Sequence, residues 1–174
     1  SDTSRWTALL LLLAEGYTLL LILLARRAIA RDLSFAAMVA TIYATCFSVL
    51  LDPQGTVRLA PEWAGAGLQL AGMAWQFSAK IVLGRSFGLL PAQRGLVMAG
   101  PYRVVRHPIY LGYLVSHVGF LLANFSWLNF AVIASLYVAQ VCRIAREEAV
   151  LSHCDEYRNY QSRVRWRLVA NPWG

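Results

Sequence analysis

The chain has 174 residues, of which 58% are hydrophobic and 14% are charged. Soluble globular domains carry about 25% charged residues, so this composition argues against an ordinary soluble fold. Lysine and arginine outnumber aspartate and glutamate by 16 to 9. These basic residues are dispersed between apolar runs, which argues against a nucleic-acid-binding surface.

The hydrophobic residues are concentrated in five apolar runs, at 6–24, 33–51, 63–83, 109–123 and 128–144. The first three approach the ~20 residues that an α-helix needs to cross a hydrocarbon core. The last two are shorter, and the charge-free sequence NFSW separates them, which is typical of a helical hairpin. The sequence therefore predicts an all-α, polytopic membrane helix bundle with about five transmembrane helices, the last two forming a short hairpin.

The basic residues also predict an orientation, because cytoplasmic loops of membrane proteins are enriched in lysine and arginine. Basic residues follow the first, third and fifth runs, whereas the other two loops carry little or balanced charge. We therefore expect the amino terminus outside and the carboxyl terminus in the cytoplasm. The positive charge also favours contact with anionic membrane lipids. The residues on which this depends are Arg26, Arg27, Arg31, Lys80, Arg85, Arg94, Arg103, Arg106, Arg146, Arg158, Arg163, Arg165 and Arg167.

We interpret residues 1–174 as one domain with two halves, a three-helix scaffold at 1–83 and a functional half at 84–174. Between Trp63 and Arg146 there is no acidic residue, and then Glu147 and Glu148 arrive together. An electropositive stretch closed by two carboxylates suggests a ligand that is itself zwitterionic.

The segment GPYRVVRHPIYLGYL, at 100–114, concentrates polar chemistry at the start of an apolar run. Pro108 is suited to the first turn of a helix, where its missing N–H costs nothing. The preceding residue, His107, is biased toward extended backbone geometry. His107 is thus expected at a helix start, where free N–H groups and the helix dipole favour an anionic group.

Helical spacing aligns polar residues on the two helices of the predicted hairpin. Tyr110, Tyr113 and His117 fall along one side of the fourth helix, and we expect His117 to hydrogen-bond to a neighbouring helix. On the fifth helix the corresponding residues are Tyr137, Gln140, Arg143 and Glu147. Arg143 and Glu147 are interpreted either as a simple ion pair at the membrane border or as an arginine for an anionic substrate beside a carboxylate for a cofactor.

The third helix carries two stripes that we interpret as packing surfaces. Gly65 and Gly72 would let a neighbouring helix approach closely, and Gln69 and Gln76 would hydrogen-bond to it. Lys80 belongs to the same stripe as the two glutamines, and its long side chain could also extend toward the cytoplasmic surface.

Several common site types are absent from the sequence. There is no G-x-G-x-x-G, P-loop, H-E-x-x-H or G-x-S-x-G motif, and no alternation of strands and helices. A Rossmann-type cofactor domain is therefore excluded. Cys46, Cys142 and Cys154 show no paired spacing, so the sequence predicts neither a disulfide nor a metal site.

Two segments, RGLVMAGPYRVVRHPIYLGYL and RIAREEAVL followed by YRNY, resemble the isoprenylcysteine carboxyl methyltransferase family and its phospholipid methyltransferase relatives. The resemblance covers about residues 84–160 and depends on the ordered motifs G-P-Y, R-H-P-x-Y and R-x-x-x-E-E. It implies a small integral membrane enzyme that uses S-adenosyl-L-methionine. This chain lacks the Phe-Gly that the family usually carries shortly before its Y-x-x-Y.

The resemblance also implies roles for individual residues. Arg143 would bind the acceptor and act in catalysis, and Glu148 would be a base if the acceptor were an amine. His107 and the adjacent helix start would hold the methionyl carboxylate, and Glu147 would bind cofactor hydroxyls or its amino group. The full cofactor-binding set would be Arg94, Gly95, Leu96, Val97, Tyr102, His107, Pro108, Ile109, Tyr110 and Glu147.

The resemblance favours a lipophilic or prenylated acceptor, first of all an isoprenylcysteine-type carboxylate methylated by direct in-line transfer. Three alternatives stay open at this point. The acceptor could be a phospholipid amine or a small thiol. The chain could instead be an NADPH-binding intramembrane reductase, or a membrane scaffold without enzymatic activity.

Overall fold

The computed structural model describes residues 20, 23–24, 30–31, 35–52, 57–86, 92–93 and 96–168. Within these ranges the chain is almost entirely helical. Its five α-helices are α1 (Phe35–Cys46), α2 (Glu62–Leu83), α3 (Pro108–Ala123), α4 (Trp127–Leu151) and α5 (Asp155–Arg163). Three 3₁₀ turns lie at Phe47–Leu50, Gly84–Ser86 and Gly100–Arg103. A short antiparallel pair is formed by strands β1 (Ala30–Arg31) and β2 (Ala92–Gln93).

The helices α1 to α4 correspond to the second to fifth apolar runs, so these predicted helices are confirmed. The first run, at 6–24, lies outside the described residues except for positions 20, 23 and 24. The fifth apolar run ends at residue 144, but α4 continues to Leu151 and carries Glu147 and Glu148 on its last turns. The helix therefore extends from the apolar part of the bundle into the polar site.

Glycine determines how α2 and α3 pack. A Cβ atom added at Gly72 would lie 2.5 Å from the backbone nitrogen of Ser116 and 2.6 Å from the carbonyl oxygen of Gly112. A Cβ added at Gly119 would lie 2.6 Å from the carbonyl oxygen of Gly65. The two helices therefore touch backbone to backbone, as small residues allow in membrane helices. The predicted packing role of Gly65 and Gly72 is confirmed.

At the opposite end of the bundle from the polar junction, α4 is fixed by Asn129, which is fully buried. Its side-chain amide exchanges hydrogen bonds with the backbone of Asp52, donating to the carbonyl oxygen and accepting from the N–H, each at 2.8 Å. The same amide donates to the carbonyl oxygen of Asn124 at 2.8 Å. The hydroxyl of Ser126 caps the helix by accepting from the backbone N–H of Asn129 at 3.0 Å.

Among the described helices, α4 alone is both long enough and apolar enough to cross a membrane by length and composition. Helix α3 is apolar but has 16 residues, and α2 is long but carries Gln69, Gln76 and Lys80. The helices also expose large apolar side chains, including Phe35 at 79% and Val138 at 68% of their surface. Such a surface is typical of contact with lipid or another protein. The number of transmembrane helices stays a prediction.

Candidate active site

The candidate site begins at the junction before α3, which contains Pro108, His107 and the 3₁₀ turn at Gly100–Arg103. Pro108 occupies the first helical position, as predicted, and is fully buried. His107 precedes it with φ −125° and ψ 62°, so its φ is extended but its ψ is not. The 3₁₀ turn at Gly100–Arg103 begins with Gly100 at a φ of +56°, in the left-handed region that favours glycine. A Cβ there would also lie 3.0 Å from Cγ2 of Val82. This turn buries the side chain of Tyr102.

Glu148 is the centre of a buried ionic cluster at this junction. Its Oε1 lies 2.9 Å from Nε of Arg106 and 3.1 Å from Nε2 of His107. Its Oε2 lies 2.8 Å from Nε of Arg167, whose side chain is largely exposed. A buried carboxylate is stable only when it is paired in this way, because desolvation of an unpaired charge is costly.

The carboxyl-terminal segment at 164–167 runs beside the junction and completes the cluster. The backbone N–H of Arg106 donates to the carbonyl oxygen of Trp166 at 2.8 Å, and that of His107 donates to the carbonyl oxygen of Arg167 at 3.0 Å. Nη1 of Arg106 donates to the carbonyl oxygen of Val164 at 3.2 Å. The two segments are thus tied together by both backbone and side-chain contacts.

Glu147 is the centre of a second, more open cluster beside the first. The hydroxyl of Tyr110 donates to Oε2 of Glu147 at 3.3 Å. The guanidinium of Arg143, one helical turn before Glu147, lies 5.7 Å from the centroid of the Tyr110 ring. The rings of His107 and Tyr110 are 5.8 Å apart, so the two clusters are contiguous.

Tyrosines close the site on the side of α5. The hydroxyl of Tyr160 donates to the carbonyl oxygen of Tyr102 at 2.6 Å, and Leu96 packs against the buried cluster of Tyr157, Tyr160 and Val164. Burial raises the pKa of Tyr160 to about 12. Burial, with the nearby charge of Glu147, also raises the pKa of Tyr102. At neutral pH these phenols are therefore neutral hydrogen-bonding groups.

The hydroxyl of Tyr157 is buried and makes no hydrogen bond with the described part of the chain. Burial raises the pKa of this phenol, and the charges of Glu148 and Glu147 raise it further, so both carboxylates lie nearby. A buried hydroxyl without a partner costs free energy unless a ligand or a water molecule meets it. Together with Glu147, it fits a ligand that carries both a positive charge and hydrogen-bonding groups.

The structure brings most of the predicted site residues to one end of the bundle. Tyr102, His107, Pro108, Tyr110, Arg143, Glu147 and Glu148 belong to the contacts described above, and Ile109 is half-buried on the first turn of α3. Leu96 packs against the tyrosine cluster, and Val97 follows it as a half-buried residue. Arg94 and Gly95 lie outside the described residues. The role of each residue stays a prediction.

Two residues with predicted roles, His107 and Glu148, already bind other side chains of the protein. His107, expected to hold a carboxylate of the cofactor, is buried with its Nε2 against Glu148. Glu148, expected as a base for an amine, is paired with Arg106, His107 and Arg167, which stabilise its ionised form. That environment suits a residue that positions its neighbours better than one that accepts a proton.

Deeper in the bundle, His117 lies between α3 and α4. Its Nδ1 is 2.9 Å from the hydroxyl of Tyr137, so the predicted hydrogen bond to a neighbouring helix is confirmed. The ring of Tyr113 stacks on His117 with centroids 6.3 Å apart, and Phe47 meets it edge-on at 5.1 Å.

Lys80 takes part in helix packing, as the interpretation of its stripe predicts, and its side chain does not extend to the surface. This side chain is buried, with 8% of its surface exposed, and Nζ lies 5.6 Å from the centroid of the Tyr113 ring. The close packing of α2 on α3 explains the difference, because it covers the lysine with an aromatic face that attracts a cation.

Comparison with known proteins now identifies the family. A family model described as "Phospholipid methyltransferase" matches residues 62–154, which is just over half of the chain. The chain belongs to the phospholipid methyltransferase family. The match spans α2, α3, α4 and the junction that carries Tyr102 and His107, so it includes Glu147 and Glu148 but not Arg167. Phospholipid methyltransferases of this family are integral membrane proteins.

One curated protein is similar to part of this chain. Methanethiol S-methyltransferase 1 of Bradyrhizobium diazoefficiens is 32% identical to this chain over 72 residues. The matched region covers 41% of this chain and 24% of the relative. The chain thus spans about a quarter of the length of the curated relative that it matches.

Proposed function

We propose that this chain is an S-adenosyl-L-methionine-dependent membrane methyltransferase whose acceptor is a small lipophilic thiol. Family membership supports the methyl-transfer reaction, and the similarity to a methanethiol S-methyltransferase supports the thiol. The structural observation that carries the proposal is the convergence of Glu147, Tyr110, Arg143 and the buried hydroxyl of Tyr157 at one end of the bundle.

These residues suit a zwitterionic methyl donor. Glu147 offers a carboxylate to an amino group or to hydroxyls, and Tyr110 holds that carboxylate in place. The hydroxyl of Tyr157 offers a further hydrogen bond in a dry environment. The donor, when bound, supplies a methyl group that its positively charged sulfur makes electrophilic. The protein then has to align an acceptor with that carbon and exclude water.

The ionic cluster around Glu148 holds together the chain segments that form the site. It ties the junction at Arg106 and His107 to the end of α4 and to the segment that ends at Arg167. We propose that Glu148 and His107 act as positioning residues, because their polar atoms are committed to each other. The start of α3 would then offer backbone N–H groups to an anionic part of the ligand.

An isoprenylcysteine-type carboxylate is the second candidate acceptor. Arg143 favours it, because a guanidinium at the site can pair with a carboxylate. The same positive charge would also favour a thiolate over a neutral thiol. The two acceptors therefore have to be distinguished by their products.

Purified protein in detergent or liposomes, supplied with donor carrying a labelled methyl group, would separate the candidates. We expect label in the thioether formed from a short alkanethiol. Label confined to a prenylcysteine methyl ester or to a methylated phospholipid amine would contradict the thiol assignment. Calorimetry adds a second arm: binding of NADPH without binding of S-adenosylhomocysteine would contradict methyl transfer itself.

The proposed orientation puts the site at the cytoplasmic side. Arg103 and Arg106 lie in the junction and Arg146 directly precedes Glu147, whereas Trp63 lies in the first turn of α2 and Trp127 begins α4, at the other end. Cytoplasmic ends of membrane helices are rich in basic residues, and tryptophan is enriched at membrane interfaces. Accessibility of a cysteine introduced at exposed Arg103 to a membrane-impermeant reagent, in intact and in opened cells, would test this orientation.

A further inference from the structure

Helices α3 and α4, which form the hairpin, are joined by contacts between long side chains. Helices α2 and α3, in contrast, touch at their glycines. Tyr110 reaches Glu147 at the polar end, and His117 reaches Tyr137 deeper in the bundle. His117 follows Tyr110 by seven residues, so the second bridge lies about 10 Å further along the axis of α3. Side-chain contacts at two depths thus mark the interface between α3 and α4, from the polar site toward the apolar interior.

Helix α4 also carries a buried polar atom that no hydrogen-bond partner in the described part of the chain meets. Gln140 has 4% of its surface exposed, and its Oε1 has no hydrogen-bond partner there. It is three residues after Tyr137 and seven before Glu147, so all three lie on the same side of α4. An unmet carbonyl oxygen in a buried position points to a ligand or water that donates a hydrogen bond.

Aromatic rings surround the imidazole at the deep end of this interface. Tyr113 stacks on His117, Phe47 meets it edge-on, and Tyr137 is both bonded to it and in edge-to-face contact at 5.9 Å. Divalent sulfur makes favourable contacts with aromatic edges. A small thiol therefore fits this environment better than a charged carboxylate or a phosphate.

Resting on the proposed methylation of a thiol, we propose that the space between α3 and α4 is the acceptor site and that His117 takes the thiol proton. In the tautomer whose Nδ1–H donates to the hydroxyl of Tyr137, Nε2 is the basic nitrogen. Tyr137 thereby orients the imidazole, and Gln140 offers its carbonyl oxygen to a polar group of the acceptor or to a water molecule. The other ionisable groups near the imidazole are Tyr113 and, across its ring, Lys80.

The proposed step transfers a methyl group from the donor to the thiol sulfur. The thiol S–H proton passes to Nε2 of His117, and the sulfur lone pair forms a bond to the methyl carbon. The bond between that carbon and the positively charged sulfur of the donor breaks, and its electron pair stays on the donor, which leaves as a neutral thioether. The imidazolium later releases its proton to water, so one proton is produced per methyl group transferred.

The test compares two acceptors in the variant His117→Gln. One is a short alkanethiol, which is protonated at the assay pH, and the other is an aryl thiol that is already ionised. We expect kcat/KM for the alkanethiol to fall about 100-fold or more, in the range of general-base catalysis. For the aryl thiol it should change less than about threefold, and the affinity for S-adenosylhomocysteine should be unchanged. Equal losses for both thiols, or no loss for either, would overturn the role of His117.

A second pair of variants keeps the test informative if His117→Gln does not fold. Tyr137→Phe keeps the ring and removes the hydroxyl, so the alkanethiol reaction alone should slow about tenfold. Val138→Ala, on the exposed side of the same helix, is the matched control and should leave both reactions unchanged. An equal effect of Tyr137→Phe on both thiols would contradict the orienting role.

Failure of this inference is distinguishable from failure of the proposed function. If the wild-type protein methylates a lipid amine or a carboxylate and no thiol, the proposed function is wrong and the inference falls with it. If it methylates both thiols and the His117 variant behaves like wild type, thiol methylation stands and only the assignment of His117 is wrong.

Discussion

Arg106 and Glu148 form an ion pair of 2.9 Å in which both side chains are more than nine-tenths buried. They come from the junction before α3 and from the last turns of α4, so the pair joins segments that are 42 residues apart in the chain. His107 and Arg167 bind the same carboxylate. The cluster therefore connects three parts of the chain at the rear of the site.

Replacing Glu148 with glutamine should destabilise the protein strongly. The change leaves Arg106 buried without its counter-charge, which typically costs about 3–5 kcal/mol. Thermal unfolding of the detergent-solubilised protein would measure the loss. Glu156→Gln, at an exposed position on α5, is the control and should leave the unfolding temperature unchanged. Equal unfolding temperatures for the two variants would show that the cluster contributes little.

Replacing Glu147 should act on ligand binding more than on folding. Glu147 is half-buried and shares a hydrogen bond with Tyr110, so Glu147→Gln removes a charge that the proposed donor requires. A charged hydrogen bond is worth about 1.5–3 kcal/mol, which corresponds to a Kd for S-adenosylhomocysteine that rises about 10-fold or more. Calorimetry would measure it. Glu62→Gln, in an exposed pair with Arg58 at the other end of α2, should bind normally.

Replacing Arg143 should lower the rate of methyl transfer without weakening binding of S-adenosylhomocysteine. The variant Arg143→Ala removes the positive charge beside Tyr110, and we expect methyl transfer to fall at least 100-fold because the thiolate that forms during the reaction is no longer stabilised. Affinity for S-adenosylhomocysteine should stay within about threefold of wild type. A parallel loss of both quantities would assign Arg143 to the donor instead. Val141→Ala, at an exposed position on the same helix, is the control.

The glycine contact offers a test of the bundle itself. In Gly72→Ala the added methyl group would lie 2.5 Å from backbone and side-chain atoms of Ser116, so α2 and α3 have to separate and the protein should lose several kcal/mol of stability. Gly67→Ala is the matched control, because its Cβ would meet nothing within 4 Å. In the middle of a helix that change should be neutral or stabilise by about 0.5–1 kcal/mol. The unfolding temperature of Gly72→Ala should therefore fall below that of the wild type, whereas that of Gly67→Ala should stay the same or rise.

The tyrosine cluster predicts loss of stability at alkaline pH. The pKa of Tyr160 rises from 10.0 in the unfolded chain to about 12 in the folded protein. Between these values the unfolded state binds fewer protons than the folded state, so stability falls as the pH rises from 10 to 12. Below pH 10 the contribution of Tyr160 is fully present. Unfolding temperatures across this range should decline less steeply in Tyr160→Phe, and an unchanged slope would contradict the prediction.

The features that could be predicted from the sequence are those that depend on the spacing of residues within one segment. The spacing of Gly65 and Gly72 predicts a close helix contact, and α2 and α3 make it. A histidine inside an apolar run requires a polar partner, and His117 has one in Tyr137. The order of the motifs around His107 and Glu147 predicts a shared site, because both fall at the same end of a helical hairpin.

What could not be predicted depends on pairing between distant segments. Arg167 reads in the sequence as one more basic residue near the membrane, and only the course of 164–167 beside the junction brings it to Glu148. Whether Lys80 reaches water or is covered depends on the ring of Tyr113 on the next helix. The hydroxyl of Tyr157 has no sequence signal at all, because an unmet hydrogen bond is a property of the packed structure.

The backbone contact between α2 and α3 also limits how the protein can admit a guest. The close approach of α2 and α3 at their glycines makes separating these two helices costly, whereas α4 meets α3 through the side-chain contacts of Tyr110 and His117. Helix α4 is fixed at both ends, by Asn129 at its start and by the ionic cluster of Glu148 on its last turns. A molecule that enters from the bilayer between α3 and α4 would therefore have to part the contacts of Tyr110 and His117 while both ends of α4 stay in place.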